Sequence, residues 1–206
     1  MNEIGENPLS ASERKLLSIA RQLGPIARSE VTAHSGLSQQ SVHRHIDSLQ
    51  SRGFLRLRPA TIKGRGKPSP LVEINQDTYV SLGLSFTTEK VLACLLNLKG
   101  VPLIECELDV HPNKPTDVLN MLEAKIADWT AAELKNRQMI GVGIAMQGYR
   151  TDATDQFETP RLLGNWQNLD LTTLFQDRFK LPVFTENNAT SCATAEFYLG
   201  GAGVIS

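Results

Sequence analysis

Long apolar runs are missing from this 206-residue sequence. No stretch approaches the roughly 18 consecutive apolar residues that a bilayer-spanning helix needs. The N-terminal residues MNEIGENPLSAS have neither the basic segment nor the apolar core of a secretory signal. A cytoplasmic protein with no membrane partner is therefore expected. Cysteine is scarce as well: Cys94, Cys106 and Cys192 are too few and too scattered for a disulfide framework or a paired-cysteine zinc site. They are expected to be reduced, mostly buried thiols, and no metal or other cofactor is expected.

What the chain does have is an uneven distribution of charge. Its formal net charge is −1, yet residues 1–75 hold 11 Lys and Arg against 6 Asp and Glu, and residues 76–206 hold 10 against 16. Ordinary surface variation accounts for such a split about as well as function does. A basic segment joined to an acidic body nonetheless suits a DNA reader attached to a ligand- or partner-binding domain.

Ser10 and Glu13 have capping-box spacing, in which each side chain satisfies an early helix donor. Leu16, Ala20 and Leu23 follow as one apolar stripe of an amphipathic helix, ended by Gly24-Pro25. Ser29 is placed to cap a short second helix that contains Val31 and stops at Gly36. A third helix starts after Ser38, with Val42, Ile46 and Leu49 as its buried stripe. Its opposite face carries Gln39, Gln40, His43, Arg44 and Asp47. Glutamine bonds adenine through two hydrogen bonds, and arginine bonds guanine or phosphate, so such a face suits the major groove. Taken alone, a solvated polar face is the commoner meaning of these residues.

The residues after this helix shift that balance. Gly53 closes the helix, and Phe54 to Arg58 alternates as a strand does. A turn-rich segment from Ala60 to Ser69 leads to a second short strand, Pro70 to Ile74. The pair reads as a β-hairpin whose tip carries Lys63, Arg65 and Lys67 among glycines. Glycine lets a backbone approach DNA closely, and cations are drawn to a narrow minor groove. A basic interdomain linker is the alternative. Three helices followed by a basic hairpin make the pattern of a winged helix-turn-helix. Its candidate DNA contacts are Ser38, Gln39, Gln40, His43 and Arg44 on the helix and Arg65 and Lys67 on the wing.

Beyond it, Tyr79 to Phe86, Lys90 to Asn97 and Val101 to Val110 read as successive strands, the last two joined by a tight turn at Asn97 to Gly100. A helix from about Thr116 places Val118, Leu119, Leu122, Ile126 and Trp129 on its inner side. Met139 to Met146 is a buried strand, Asp170 caps a helix through Phe179, Leu181 to Thr185 is a strand, and Asn188 to Leu199 is helical. The order βββαβαβα implies a mixed sheet with helices on its faces.

The segments GLSQQSVHRHIDSLQSRGFL and KGRGKPSPLVEIN resemble the DNA-binding half of the ROK family (repressors, open reading frames and kinases). The rest resembles the first lobe of that family's actin-like ATPase fold through GVGIAMQG, TPRLLGNW and LPVFTENNATSCATAEFYLGGA. The resemblance implies an α/β fold class: an N-terminal winged helix-turn-helix over residues 1–75, then the first actin-like lobe over residues 76–206. It implies a DNA-binding transcriptional regulator, a repressor of carbohydrate-related genes. The expected partners are a double-stranded DNA operator, a second copy of the chain for a two-fold site, and a sugar or phosphosugar effector.

The resemblance also marks lost chemistry. Asn188 stands where kinases of the family carry their general base, and an amide accepts no proton at neutral pH. Asn187 and Gly148 match positions beside the sugar, which makes Gly148, Asn187 and Asn188 the candidate sugar-binding residues. Gln147 replaces a proline, Arg161 an asparagine and Thr190 a second asparagine. Ser85 and Thr87 replace the aspartate and glycine of the phosphate-binding turn. These changes together imply a regulator that is not an enzyme. A sugar kinase with an accessory N-terminal domain is the alternative, and a DNA-binding fragment without regulation is a third reading. The second lobe that the resemblance implies lies outside these 206 residues. A complete ATP or sugar pocket is therefore not expected. The last helix is expected to leave apolar surface exposed or matched by another chain, with self-association as the consequence.

Overall fold

Helix α1 (Ala11–Leu23) begins where Ser10 and Glu13 satisfy each other's backbone. The Glu13 N–H donates to Ser10 Oγ at 3.2 Å, and the Ser10 N–H donates to a Glu13 carboxylate oxygen at 2.9 Å. The computed structural model describes residues 8–59, 70–132, 134–151 and 155–200. The chain divides into two units, Met1–Tyr79 and Val80–Ser206.

In the first unit, Leu16 and Ala20 are buried as their spacing predicts, but Leu23 is 47% exposed and Ile19 takes the third place in the stripe. Leu23 is the last helical residue, where the chain turns away into strand β1 (Ile26–Ala27). Helix α2 (Arg28–Ser35) starts ahead of Ser29, with Ala27 at its cap. The Glu30 carboxylate, rather than a serine hydroxyl, accepts the Ala27 N–H at 3.0 Å. Gly36 ends α2 in the left-handed region, φ 67°. Helix α3 (Gln39–Ser51) is capped by Ser38, whose Oγ accepts the Ser41 N–H at 3.2 Å. It packs Val42, Ile46 and Leu49 inward against α1 and α2. Strands β2 (Leu55–Arg58) and β3 (Leu71–Ile74) then join β1 in an antiparallel sheet of order β1-β3-β2. Strand β1 carries no signal in the sequence, since two residues display no period.

The second unit is built on a five-stranded sheet of order β10-β7-β4-β5-β6. Its strands are β4 (Tyr79–Phe86), β5 (Val91–Asn97), β6 (Pro102–Glu107), β7 (Gln138–Met146) and β10 (Val183–Asn187). Strands β4, β5 and β6 form an antiparallel meander, and β10 runs parallel to β7. Alternate residues of the strands, among them Val80, Leu82, Leu84, Phe86, Val142, Ile144 and Met146, point into one core. Helices α4 (Pro115–Ala132) and α5 (Leu171–Phe179) close that core with Val118, Leu122, Trp129, Leu171 and Phe175. The Asp170 side chain caps α5 by accepting the Thr173 N–H at 2.9 Å. A short hairpin of β8 (Tyr149–Arg150) and β9 (Phe157–Glu158) and a 3-10 turn (Arg161–Trp166) lie between β7 and α5. The sequence pattern gives no sign of that hairpin. Trp166 is buried edge-on against Phe86, with ring centres 4.8 Å apart, and its indole N–H reaches the Pro112 carbonyl at 2.6 Å.

The other sheet face is different. On β4 and β7 its residues are small, including Ser81, Gly83, Gly141 and Gly143, whereas β5 and β10 add Leu92, Leu96 and Phe184. Helix α6 (Asn188–Leu199) has no buried residue, and Phe184, Phe197, Tyr198 and Leu199 are all at least half exposed. Apolar surface is therefore uncovered here. All three cysteines are free, but they are less buried than expected: Cys94 and Cys106 are half-buried and Cys192 is exposed. Burial pushes the Cys94 and Cys106 thiols up, away from the reactive thiolate.

Candidate nucleic-acid interface

The buried stripe of α3 dictates what its outer side shows. With Val42, Ile46 and Leu49 turned fully inward, the 3.6-residue period turns Gln39, Gln40, His43, Arg44 and Asp47 outward, and all five are exposed. None of the first four side chains has an intramolecular hydrogen bond or ion pair among the described residues. Asp47 differs: it accepts from the Arg28 guanidinium of α2 at 2.7 Å. The Ser38 hydroxyl is engaged in the cap and also donates to Ser41 Oγ at 3.0 Å. Ser35, buried in the turn before it, donates to Thr32 O at 3.1 Å and accepts the Leu37 N–H at 3.2 Å. That turn holds α2 and α3 in fixed relation.

Two other cations of the first unit, Arg52 and Arg56, are bound within it. Arg52 lies 3.7 Å from Glu13, and Arg56 of β2 donates to Glu73 at 2.6 Å and to Asp77 at 2.7 Å. Arg65 and Lys67, with Lys63 and the rest of the segment 60–69, lie outside the described residues. Sequence reasoning left out Arg28 and Arg56, and it placed Asp47 on the outer face without its partner. Their partners are 17 to 21 positions away, beyond any local pattern.

In the second unit, Gly148, Asn187 and Asn188 come together at one end of the parallel pair β7 and β10, where Asn187 is in register with Met146. Gly148 has φ 140°, and a Cβ there would collide with the Glu158 carbonyl. The Asn187 side chain caps α6 by accepting the Thr190 N–H at 2.8 Å. The Asn188 amide donates to the Phe86 carbonyl at 3.0 Å, and its Oδ1 is buried without a partner. The Gln147 N–H reaches the same Phe86 carbonyl at 3.0 Å, while Gln147 Oε1 accepts the Thr88 N–H at 2.8 Å. Every backbone N–H from Thr87 to Lys90 is bonded internally: Thr87 to Lys90 O, Thr88 to Gln147, and Glu89 and Lys90 to Thr87 Oγ1. A turn with its donors so engaged presents no nest to an anion. Among the described residues there is no group of three or more His, Cys, Asp or Glu suited to a metal ion, and no helix is long and apolar enough to cross a membrane.

Comparison with known proteins gives this arrangement a context. The model of the ROK family matches residues 81–206. The chain is 24% identical over 193 residues to the xylose repressor of Bacillus spizizenii, a match covering 93% of this chain and 50% of the repressor. It is 28% identical over 182 residues to a transcriptional regulator of Mycobacterium bovis, covering 87% of this chain and 41% of the regulator. Among solved structures it is similar to a ROK family transcriptional regulator homologous to the E. coli MLC protein. That likeness has a TM-score of 0.70 and 22% identity, over 90% of this chain and 47% of the other. At that identity the likeness speaks to fold: a mixed α/β fold resembling the ROK sugar-kinase-like lobe. The chain spans about half the length of the curated relatives it matches.

Proposed function

The chain belongs to the ROK family, and on that premise we propose that it is a DNA-binding transcriptional repressor without kinase activity. The domains are a winged helix-turn-helix over residues 1–75 and a partial sugar-kinase-like body over residues 76–206. One observation carries the reading: α3 presents Gln39, Gln40, His43 and Arg44 outward with no internal partner among the described residues, opposite a fully buried stripe. Donors and acceptors left unpaired on a rigid helix keep their hydrogen-bonding capacity for base edges and phosphates. Arg44 takes a guanine or a phosphate, Gln39 and Gln40 read adenine, and Ser38 lies at the helix start beside them. Arg65 and Lys67 enter the adjacent minor groove. Relatives named as a xylose repressor and a transcriptional regulator support the same reading.

The body is the sensing half. The Asn188 Oδ1, buried and unpartnered, is an acceptor for a sugar hydroxyl, with Gly148 and Asn187 beside it. Phosphoryl transfer is disfavoured there, because Asn188 is no base and the Thr87 to Lys90 turn has no free donor for phosphate. A palindromic operator requires two copies of the chain, and the protein works in the cytoplasm.

The test is selection of duplexes from a random library by the full chain, followed by binding measurements on the selected site. Arg44→Ala is expected to weaken binding by roughly 1–3 kcal/mol and to relax preference at one base pair. Failure to enrich any sequence, or affinity indifferent to Arg44→Ala and Gln40→Ala alike, overturns the assignment.

A further inference from the structure

Arg56 and Arg58 stand two residues apart on β2 and therefore on the same face of the strand. Arg56 is held by Glu73 and Asp77, whereas the Arg58 side chain is exposed and has no hydrogen bond or ion pair among the described residues. The other arginines among the described residues of the first unit each have a place. Arg14 donates to Leu9 O at 3.0 Å, Arg28 pairs with Asp47 and Arg52 with Glu13. Arg21 stands in the last turn of α1, where the helix dipole favours a cation. Arg44 belongs to the outer face of α3. The Arg58 side chain is left without an internal partner among the described residues.

Its position supplies a role. Arg58 pairs with Leu71, and Leu71 pairs on its other edge with Ala27, the residue before α2. Two interstrand steps, roughly 10 Å, thus separate Arg58 from the start of α2. The same end of the sheet leads into residues 60–69, whose sequence contains Lys63, Arg65 and Lys67. Of the acidic groups at this end, Asp47 is paired with Arg28, while Glu30 accepts the Ala27 N–H and keeps its charge. We propose that Arg58 is a sequence-independent contact to a DNA phosphate, which fixes the duplex against the sheet end while α3 reads the bases. This rests on the DNA-binding reading and adds a residue to it.

A phosphate contact has a signature that a structural role lacks. Each neutralised phosphate releases counterions, so its loss lowers the slope of log Kobs against log salt by about 0.9. The experiment measures fluorescence anisotropy of a labelled mixed-sequence duplex of roughly 20 bp, about two helical turns, with the full chain, across about 50 to 200 mM salt. Arg58→Gln is expected to lower the slope by that amount without changing preference among sequences. Arg56→Gln is expected to keep the slope and lower the thermal midpoint. An unchanged slope in Arg58→Gln, with binding otherwise intact, overturns the contact and leaves the DNA reading standing. Absence of salt-dependent duplex binding by the unsubstituted chain overturns both.

Discussion

Ser48 on α3 donates its hydroxyl hydrogen to Glu13 Oε1 of α1 at 2.9 Å, so the carboxylate that opens the first helix also holds the third. Glu13 is buried, and its other oxygen accepts from the Ser10 N–H and hydroxyl. Glu13→Ala removes half of a capping box and leaves the Ser48 hydroxyl unsatisfied. The expected loss is about 1–3 kcal/mol of stability, as loss of a helix cap and of a buried hydrogen bond each cost roughly 1. Urea unfolding of the full chain, followed by hydrogen exchange in residues 8–59, checks it. Unchanged protection there would contradict it.

The same carboxylate gives a pH dependence. Burial alone would raise the Glu13 carboxyl, but the Ser10 N–H, the Ser48 and Ser10 hydroxyls and the Arg52 guanidinium together hold it below its ordinary value of 4.5. A carboxyl that is more acidic in the folded state stabilises the fold above its unfolded value. That stabilisation falls away as pH drops below 4.5 toward the folded value. Thermal midpoints of the unsubstituted chain are therefore expected to fall faster on acidification than those of Glu13→Gln. Parallel acid profiles for the two proteins would remove Glu13 from this role.

These links show what a sequence reveals and what it hides. The stripe Val42, Ile46, Leu49 and the capping pair Ser10 and Glu13 are local, written in helical spacing, and the fold has both. The outer face of α3 follows from the same period. The bond from Ser48 to Glu13 spans 35 positions and the pair Arg28–Asp47 spans 19, so only the packed unit brings them together. In the body, the family resemblance singled out Asn188 as an amide where kinases of the family carry a base. The convergence of Asn188 and Gln147 on the Phe86 carbonyl was not legible, because it joins the ends of three strands distant in sequence.

That convergence predicts the outcome of restoring the acid. Asn188→Asp is expected to yield no sugar-dependent ATP turnover, because the donors of the Thr87 to Lys90 turn stay engaged. The new carboxylate also loses the donor to Phe86 O and sets a negative charge against that carbonyl. Stability is expected to fall by about 1–3 kcal/mol. A coupled ATPase assay over a panel of hexoses and pentoses provides the readout, and turnover above the unsubstituted chain would restore the kinase reading.

Gln147 closes the turn. In Gln147→Ala the Thr88 N–H loses its acceptor at 2.8 Å while the bonds made by Thr87 remain. Faster exchange of the Thr88 amide is expected, with a stability cost of about 0.5–1.5 kcal/mol for one hydrogen bond. Exchange by NMR resolves that single amide. Thr88 exchange equal to that of the unsubstituted chain would show that Gln147 does not close this turn.

On the proposed DNA-binding reading, the pair Arg28–Asp47 is expected to affect duplex affinity more than stability. At 2.7 Å but with Asp47 63% exposed, the pair contributes about 0–1 kcal/mol to folding. Asp47 nevertheless stands on the outer face of α3, one turn from His43 and Arg44, where an unmatched carboxylate would repel phosphate. If Arg28 acts by neutralising Asp47, Arg28→Ala weakens duplex affinity several-fold, and adding Asp47→Asn restores it. If Arg28 itself binds phosphate, the double variant stays weak. Asp47→Asn alone is expected to tighten binding and steepen its salt dependence, since it frees the Arg28 guanidinium. A double-mutant cycle on the selected duplex separates these cases. Full recovery in the double variant is the expected result, and affinity as weak as in Arg28→Ala would overturn the neutralising role.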